Sequence, residues 1–469
     1  MKRDNSLFFL GIGILSLCAS CGNENKTTSS KQNYQESNNL DSLLPKGEVL
    51  KSELCIKDSS QSYALFLPSF YSPAKKWPII YFFDPHACGV LPIDKYKLLA
   101  EKYGYVIAGS NNSKNGLDLE TEKSIADRMM DDTKKKISID KNRIYTGGFS
   151  GGSRVASFMA ITESGITGVI GCAAGFPNVN KPLEYSFNYI GIVGNEDFNL
   201  LEMENLNKAL STSGLPQELI IYNGKHEWPP EQIMEEAFVW LEINEMKKDL
   251  SGVKESLIKK GVQFYEQLAS HYLQSGNSFE AYITYGRLVN LFDGIFDISI
   301  YKKLKEELGN SKKMKQIFKM KEDGAILEIN KQNEYMNALS SENTVWWKTE
   351  IDQLNRKIKN NEMKRAMNLR LLGFLSLSLY MYSSSALKNA NGIEGEHFLE
   401  LYRMVDPENS DAYYLSACLA AKQNDNRQTL AYLQQSVKFG FNDEKKFKQD
   451  PFFEAFRKIQ PALPLMTAE

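Results

Sequence analysis

Histidine is scarce in this chain. Only 4 of its 469 residues are histidine: His86, His226, His271 and His397. A mechanism that needs a base titrating near neutral pH therefore has few candidates. Charge of one sign is not in excess either. Lys and Arg total 56 against 58 Asp and Glu, for a formal net charge of -2. Such a balance gives no global electrostatic reason to bind nucleic acid or acidic polymers. Long apolar runs are missing. The stretch Leu369–Met381 is broken by Arg370, Ser376 and Ser378. It falls short of the about 20 residues of a spanning helix, and a buried helix is expected there. Of 6 cysteines, Cys55, Cys88, Cys172 and Cys418 lie in the body of the chain without C-x-x-C spacing. Metal binding thus has little support, and no metal or cofactor is expected. In an exported chain some of these thiols pair or all stay buried and free, and spacing does not decide between the two. Hydrophobic residues at 42% and charged residues at 24% are ordinary globular values. They exclude a mainly disordered chain, a collagen-like chain and a multi-span membrane protein. The length suggests two to four domains at roughly 100–200 residues each.

The N-terminus reads as an address. Lys2 and Arg3 precede the apolar run Leu7–Leu17, which ends Leu17-Cys18-Ala19-Ser20-Cys21-Gly22. The run has the length of a secretory h-region. The segment resembles a bacterial lipoprotein signal, in which a small residue precedes the Cys that is lipidated. Ser20 and Cys21 fit; Cys18 stands where Leu is usual. Residues 1–20 are the expected signal peptide, Cys21 the lipidation site, and residues 21–48 a polar tether with little to bury. The implied location is the bacterial cell envelope, with the chain held to a membrane by lipid.

From Ser62 to Lys247 short buried strands alternate with amphipathic helices. Ser62–Leu67, Trp77–Phe83, Tyr105–Gly109, Arg143–Gly147, Gly168–Ala173, Tyr189–Gly194 and Glu218–Tyr222 are predicted strands. Helices are predicted over Ile93–Lys102, Leu119–Lys136, Gly152–Glu163, Leu200–Ser211 and Pro230–Lys247. This alternation argues for an α/β fold with a mostly parallel, doubly covered sheet over 49–248. Ligand sites in such sheets lie at the carboxyl ends of the strands. Residues 249–469 read as helices, including Glu255–Gln274, Ser278–Leu291, Leu354–Tyr382, Ala412–Gln423 and Arg427–Phe439. Lys312–Asn343 is charged and reads as an exposed helix or a connector. Two stretches resemble tetratricopeptide helix-turn-helix units, one around Ala269, Tyr272, Gly276, Ala281 and Tyr282 and one from Asp406 to Phe439. An all-α, tetratricopeptide-like domain is expected, with a possible protein partner.

The sharpest motif is Gly148-Phe149-Ser150-Gly151-Gly152, a G-x-S-x-G between a predicted strand and a predicted helix. The glycines permit a turn too tight for side chains, which exposes the serine. A serine hydroxyl needs a base to attack a carbonyl. His271 and His397 fall in the helical region. His226 follows the last strand, in Gly224-Lys225-His226-Glu227-Trp228-Pro229. An orienting acid belongs between Ser150 and His226 at a strand end. Asp197 fits, in Gly194-Asn195-Glu196-Asp197, with Glu196 as its rival. The oxyanion hole needs the Gly151 N–H and a second donor from the loop after Trp77–Phe83. That loop reads Asp84-Pro85-His86-Ala87-Cys88-Gly89. Pro85 has no N–H. The polar loop Ser110–Gly116 follows the next strand, to touch substrate or simply to turn.

Residues 49–248 resemble the α/β-hydrolase superfamily, nearest its secreted polyhydroxyalkanoate-depolymerase and feruloyl-esterase-like members. The resemblance rests on the G-x-S-x-G, the G-x-x-D turn and the G-x-H-x-W-P loop, in that order. It implies a serine esterase with Ser150, Asp197 and His226 as catalytic triad, acting on an ester-bearing small molecule or oligosaccharide. The family's His-Gly oxyanion motif is replaced here. An ungapped alignment makes His86 the donor, the preferred reading because it needs no insertion; matching His86-Ala87-Cys88 to His-Gly-Cys makes Cys88 its rival. A serine peptidase, or an idle hydrolase fold serving as an envelope scaffold, are the alternatives.

Overall fold

A computed structural model describes residues 44–178, 186–248, 255–360, 362–389 and 392–459. The signal peptide, Cys21 and nearly all of the tether lie outside the described residues. The described chain divides into two compact units. One holds the residues up to Asn195 together with Asn199–Lys315; the other holds Glu196–Phe198 and the residues from Gln316 on.

The first unit is built on eight strands: β1 (Val49–Cys55), β2 (Asp58–Phe66), β3 (Trp77–Phe83), β4 (Val106–Ser110), β5 (Ile139–Phe149), β6 (Ile166–Cys172), β7 (Asn188–Gly194) and β8 (Gln217–Tyr222). Their order in the sheet is β1-β2-β4-β3-β5-β6-β7-β8. The β1–β2 and β2–β4 pairs are antiparallel, and every pair from β4 to β8 is parallel. This is the strand order of the α/β-hydrolase fold. Every residue of β3 is buried, as a strand covered on both faces requires. Helices α1 (Val90–Tyr103), α2 (Leu119–Lys136), α3 (Gly151–Thr162), α4 (Leu200–Leu210) and α5 (Glu231–Lys248) connect or follow the strands. The predicted bounds of α2 match those observed. Asp118 caps it by accepting the Thr121 N–H; Glu120 and Glu122 stand in its first turn and Lys134, Lys135 and Lys136 in its last.

Two features differ from the sequence expectation. β1 is an additional strand. Lys51 and Glu53 interrupt its apolar pattern, as suits a sheet edge that must not pair with another chain. The compact unit also outlasts the strands. Helices α6 (Glu255–Gln274), α7 (Ser278–Phe292) and α8 (Ser299–Asn310) share a continuous apolar core with α5. Val262, Tyr265, Leu288, Phe292 and Tyr301 join Phe238, Trp240 and Leu241 in it. Arg287 of α7 donates to the Leu219 carbonyl of β8 at 3.2 Å, and Lys247 of α5 reaches the Asn290 carbonyl at 3.1 Å. The end of the strand pattern at 248 is therefore not the end of this core.

The second unit is helical: α9 (Lys312–Ser341, which begins in the first unit), α10 (Thr344–Asn360), α11 (Glu362–Lys388), α12 (Gly392–Val405), α13 (Ser410–Lys422), α14 (Asn426–Lys438), α15 (Glu444–Gln449) and α16 (Glu454–Ile459). Of the stretch Lys312–Asn343, all but the last two residues form a helix rather than a connector. The predicted helix Leu354–Tyr382 is divided between α10 and α11. Helices occupy both stretches likened to tetratricopeptide units, α6 with α7 and α13 with α14. Within the unit, Arg370 donates through Nε to the fully buried Glu328 at 2.9 Å. Among the described residues no helix is long and apolar enough to cross a membrane.

One buried ion pair fixes α2 to the edge hairpin. Asp132 accepts the Tyr63 hydroxyl at 2.7 Å, the Ile56 N–H at 2.9 Å and Lys136 Nζ at 2.7 Å. Lys136 also reaches Glu53 at 2.7 Å. Removing one partner of a buried pair leaves the other charge uncompensated. Asp132→Ala is expected to lower stability by about 3–5 kcal/mol in urea unfolding. A loss below about 0.5 kcal/mol would show that the pair is merely a surface contact.

Candidate active site

The site is built where β5 turns into α3. Gly148 pairs with Phe83 on one side and Gly171 on the other. A Cβ on Gly148 would lie 2.1 Å from the Gly152 carbonyl oxygen, and one on Gly152 would lie 2.0 Å from that of Phe83. The obstacles are main chain, so no side chain can move aside. Between these glycines Ser150 takes φ 53° and ψ -120°. This left-handed conformation is costly for a serine and persists only where the surroundings impose it. They do so here: the Ser150 N–H donates to the Cys172 carbonyl at 2.9 Å, and its carbonyl accepts the Ser153 N–H at 3.0 Å. Gly151 opens α3, so its N–H belongs to the first helical turn, which has no intrahelical acceptor.

His226 lies beyond β8. Its Nε2 is 3.0 Å from Ser150 Oγ. The Phe149 ring lies against both the imidazole, at 4.8 Å, and the Trp228 indole, at 5.6 Å between centroids. Trp228 also meets Phe82 and Tyr96 edge-on, and the Tyr96 hydroxyl donates to the Pro229 carbonyl at 2.7 Å. The residue chosen for x in G-x-S-x-G is thus part of the histidine's seat. Such aromatic contacts orient rings as well as bury them.

Asp197 is fully buried in the turn between β7 and α4. The same turn grips the histidine loop. The Asn195 N–H donates to the Tyr222 carbonyl at 2.8 Å, and Asn195 Oδ1 accepts the Gly224 N–H at 3.3 Å. Glu196, the rival acid, lies beside Asp197 in this turn. The floor behind Ser150 is held by Glu202. Its carboxylate receives both guanidinium nitrogens of Arg154 at 2.8 Å and the Gly175 N–H at 2.9 Å. His271 is in α6 and His397 in α12.

The loop after β3 holds what the sequence did not disclose. Asp84 is buried, with 1% exposure. Oδ1 accepts the His86 N–H at 2.9 Å, and Oδ2 accepts the Trp228 indole N–H at 2.8 Å. Burial pushes this carboxyl up, but the hydrogen bonds from His86 and Trp228 outweigh it, so it is held below its ordinary value. The Ala87 N–H turns back to the Asp84 carbonyl at 3.3 Å. Of the two donors weighed from sequence, the His86 N–H is therefore already engaged; Cys88 follows it as an exposed free thiol. Cys55, Cys172 and Cys418 are free and buried.

Asn115 is a second residue that sequence reasoning left unassigned. Its N–H donates to the Pro85 carbonyl at 2.9 Å, and Lys114 bridges to His86. A Cβ on Gly151 would fall 1.8 Å from Asn115 Oδ1. The exposed loop after β4 thus brings a carboxamide directly onto the residue following Ser150. Only its placement in a polar loop at the same sheet edge signalled this.

No family model matches the chain, and no curated protein matches it. Solved structures share part of it. S-formylglutathione hydrolase (FrmB) from Staphylococcus aureus is 13% identical, with 39% of this chain and 90% of that one covered and a TM-score of 0.33. The feruloyl esterase module from Clostridium thermocellum, an S954A mutant complexed with sinapinate, is 14% identical over 46% of this chain and 94% of its own, with a TM-score of 0.35. The hyperthermophilic esterase from Pyrobaculum calidifontis is 16% identical over 45% and 88%, with a TM-score of 0.33.

The elbow makes a sharp demand on one atom. Gly148→Ala is expected to abolish a cooperative melt or to yield insoluble protein, because its methyl meets backbone. Gly324→Ala, in α9 with nothing within 4 Å of its Cβ, is expected to be neutral or to stabilise by about 0.5–1 kcal/mol. Equal melting of the two variants would remove the steric account.

Proposed function

We propose that this protein is a serine hydrolase of the esterase type, cleaving a carboxylic ester through an acyl-enzyme on Ser150. The observation that carries this is the 3.0 Å approach of His226 Nε2 to the hydroxyl of a serine held at φ 53°. Ser150 Oγ adds to the ester carbonyl carbon while Nε2 accepts its proton. The carbonyl oxygen becomes an oxyanion facing the Gly151 N–H and a donor from the loop after β3. Since the His86 N–H is engaged by Asp84, the second donor is assigned to Cys88. The tetrahedral adduct collapses, and the alcohol leaves with the proton from His226. Water then repeats the sequence on the acyl-enzyme and releases the acid. Asp197 is the acid that holds the His226 tautomer, supported by its burial and by the hydrogen bonds from its turn to the histidine loop.

The substrate class is an ester-bearing small molecule or oligosaccharide. Lipid on Cys21 anchors the chain in a bacterial envelope. The tetratricopeptide-like helices serve as a surface for a protein partner. No nucleic acid is involved.

A fluorophosphonate probe is expected to label the folded protein and to lose its target in Ser150→Ala. A panel of p-nitrophenyl acyl esters with feruloyl and acetyl sugars then defines the acyl group. Asp197→Asn is expected to lower kcat by about 10⁴-fold, whereas Glu196→Gln stays near the parent value. Folded protein that takes no probe and cleaves no ester in the panel would overturn the reading in favour of an idle scaffold. Cleavage of peptide but not ester bonds would make it a peptidase. For the anchor, metabolic labelling with an alkyne fatty acid in a bacterial host is expected to tag the wild type and not Cys21→Ser. Equal tagging of both would refute Cys21 as the lipidated residue.

A further inference from the structure

We infer that Asp84 is a positioning residue, whose carboxylate locks the oxyanion loop to the loop that carries the catalytic base. The inference rests on the esterase reading above and assigns the residue that holds its two halves in register. Asp84 touches no reacting atom. It acts through two donors, the His86 N–H on Oδ1, two residues away, and the Trp228 indole N–H on Oδ2, 144 residues away.

Each side of this link continues to the site. On one side, the bond to the His86 N–H closes a turn two residues long and is followed by Ala87 at φ 59°. That winding determines where the Cys88 N–H points. The loop is fastened again at its far end, where Gly89 packs on Gly109 so closely that a Cβ would lie 2.2 Å from the Gly109 carbonyl oxygen. Asn115 bonds Pro85 from outside. On the other side, Trp228 stands two residues after His226 and shares the Phe149 ring with it. A shift of the indole is therefore a shift of the imidazole. His86 places its own ring outward, 78% exposed, with Nδ1 3.7 Å from Asp84 Oδ1. The ring therefore adds to the loop side of the link and helps to hold the carboxylate ionised.

The chemistry of the link demands a carboxylate. Both partners donate, and both oxygens of an ionised Asp accept. Asparagine has one accepting oxygen. Its amide NH₂ would face either the indole N–H or the His86 N–H, donor against donor, in a buried site. The substitution is nearly isosteric, so its effect reads hydrogen bonding and not volume.

Three variants test this in the full-length chain, with kcat and KM for a p-nitrophenyl ester normalised to fluorophosphonate-titrated sites, and thermal melts in parallel. Asp84→Asn is expected to fold and to lose about 100-fold in kcat with KM little changed, as for a misplaced catalytic constellation. Trp228→Phe removes the indole donor while keeping an aromatic ring beside Phe149, and is expected to lose about tenfold. In the double variant the asparagine oxygen can serve His86 with no opposing donor, so activity is expected to exceed that of Asp84→Asn alone. A folded Asp84→Asn with full kcat would overturn the inference while leaving the esterase reading intact. So would a double variant whose losses simply add. If Asp84→Asn does not fold, an unchanged kcat in Trp228→Phe overturns it equally. A wild type that neither labels nor turns over would instead bring down the esterase reading and this inference with it.

Discussion

Everything at the site depends on how closely three pieces of main chain meet. The carbonyl of Phe83 at the end of β3, the start of α3 and the end of β5 approach one another with no room for a β-carbon at Gly148 or Gly152. This contact fixes the position of the helix against two central strands at once. Ser150 cannot relax into an ordinary conformation without separating them. The cost of its left-handed backbone is carried by the sheet, whose cohesion is spread over buried strands on either side. A hydroxyl held this way needs no further ordering of its backbone.

The surrounding loops are held by polar contacts rather than by apolar burial. Asn195 fastens the turn after β7 to the loop after β8, and Glu202 fastens the segment after β6 to α3. Asp84 fastens the loop after β3 to the loop after β8. Each uses a short side chain with two accepting positions, or an amide with one. Such contacts specify distance and direction more narrowly than apolar packing does. The apolar material, Phe149 with Trp228, Phe82 and Tyr96, fills the space beneath them.

Much of this was legible in the sequence because it is local. The helix Leu119–Lys136 carries its cap, its acidic first turn and its basic last turn within one segment. G-x-S-x-G between strand and helix gave Ser150, and the scarcity of histidine singled out His226. What escaped was nonlocal. Asp84 could be seen only as a departure from a motif, since its partner Trp228 lies on a different strand's loop. β1 carries an edge strand's charges and so lacks an apolar pattern. The continuation of the core through α6–α8 was hidden because strand periodicity marks where a sheet ends and says nothing about what later covers it.

That late covering has a temporal side. A ribosome adds roughly 5–20 residues per second, and segments fold as they emerge. The sheet and α5 are complete in sequence by Lys248, yet Phe238, Trp240 and Leu241 find part of their cover only on residues as late as Tyr301. For several seconds of synthesis the nascent sheet therefore presents an apolar helix with its cover still inside the ribosome. A chain of this design has reason to remain with a chaperone until α8 is available to cover it.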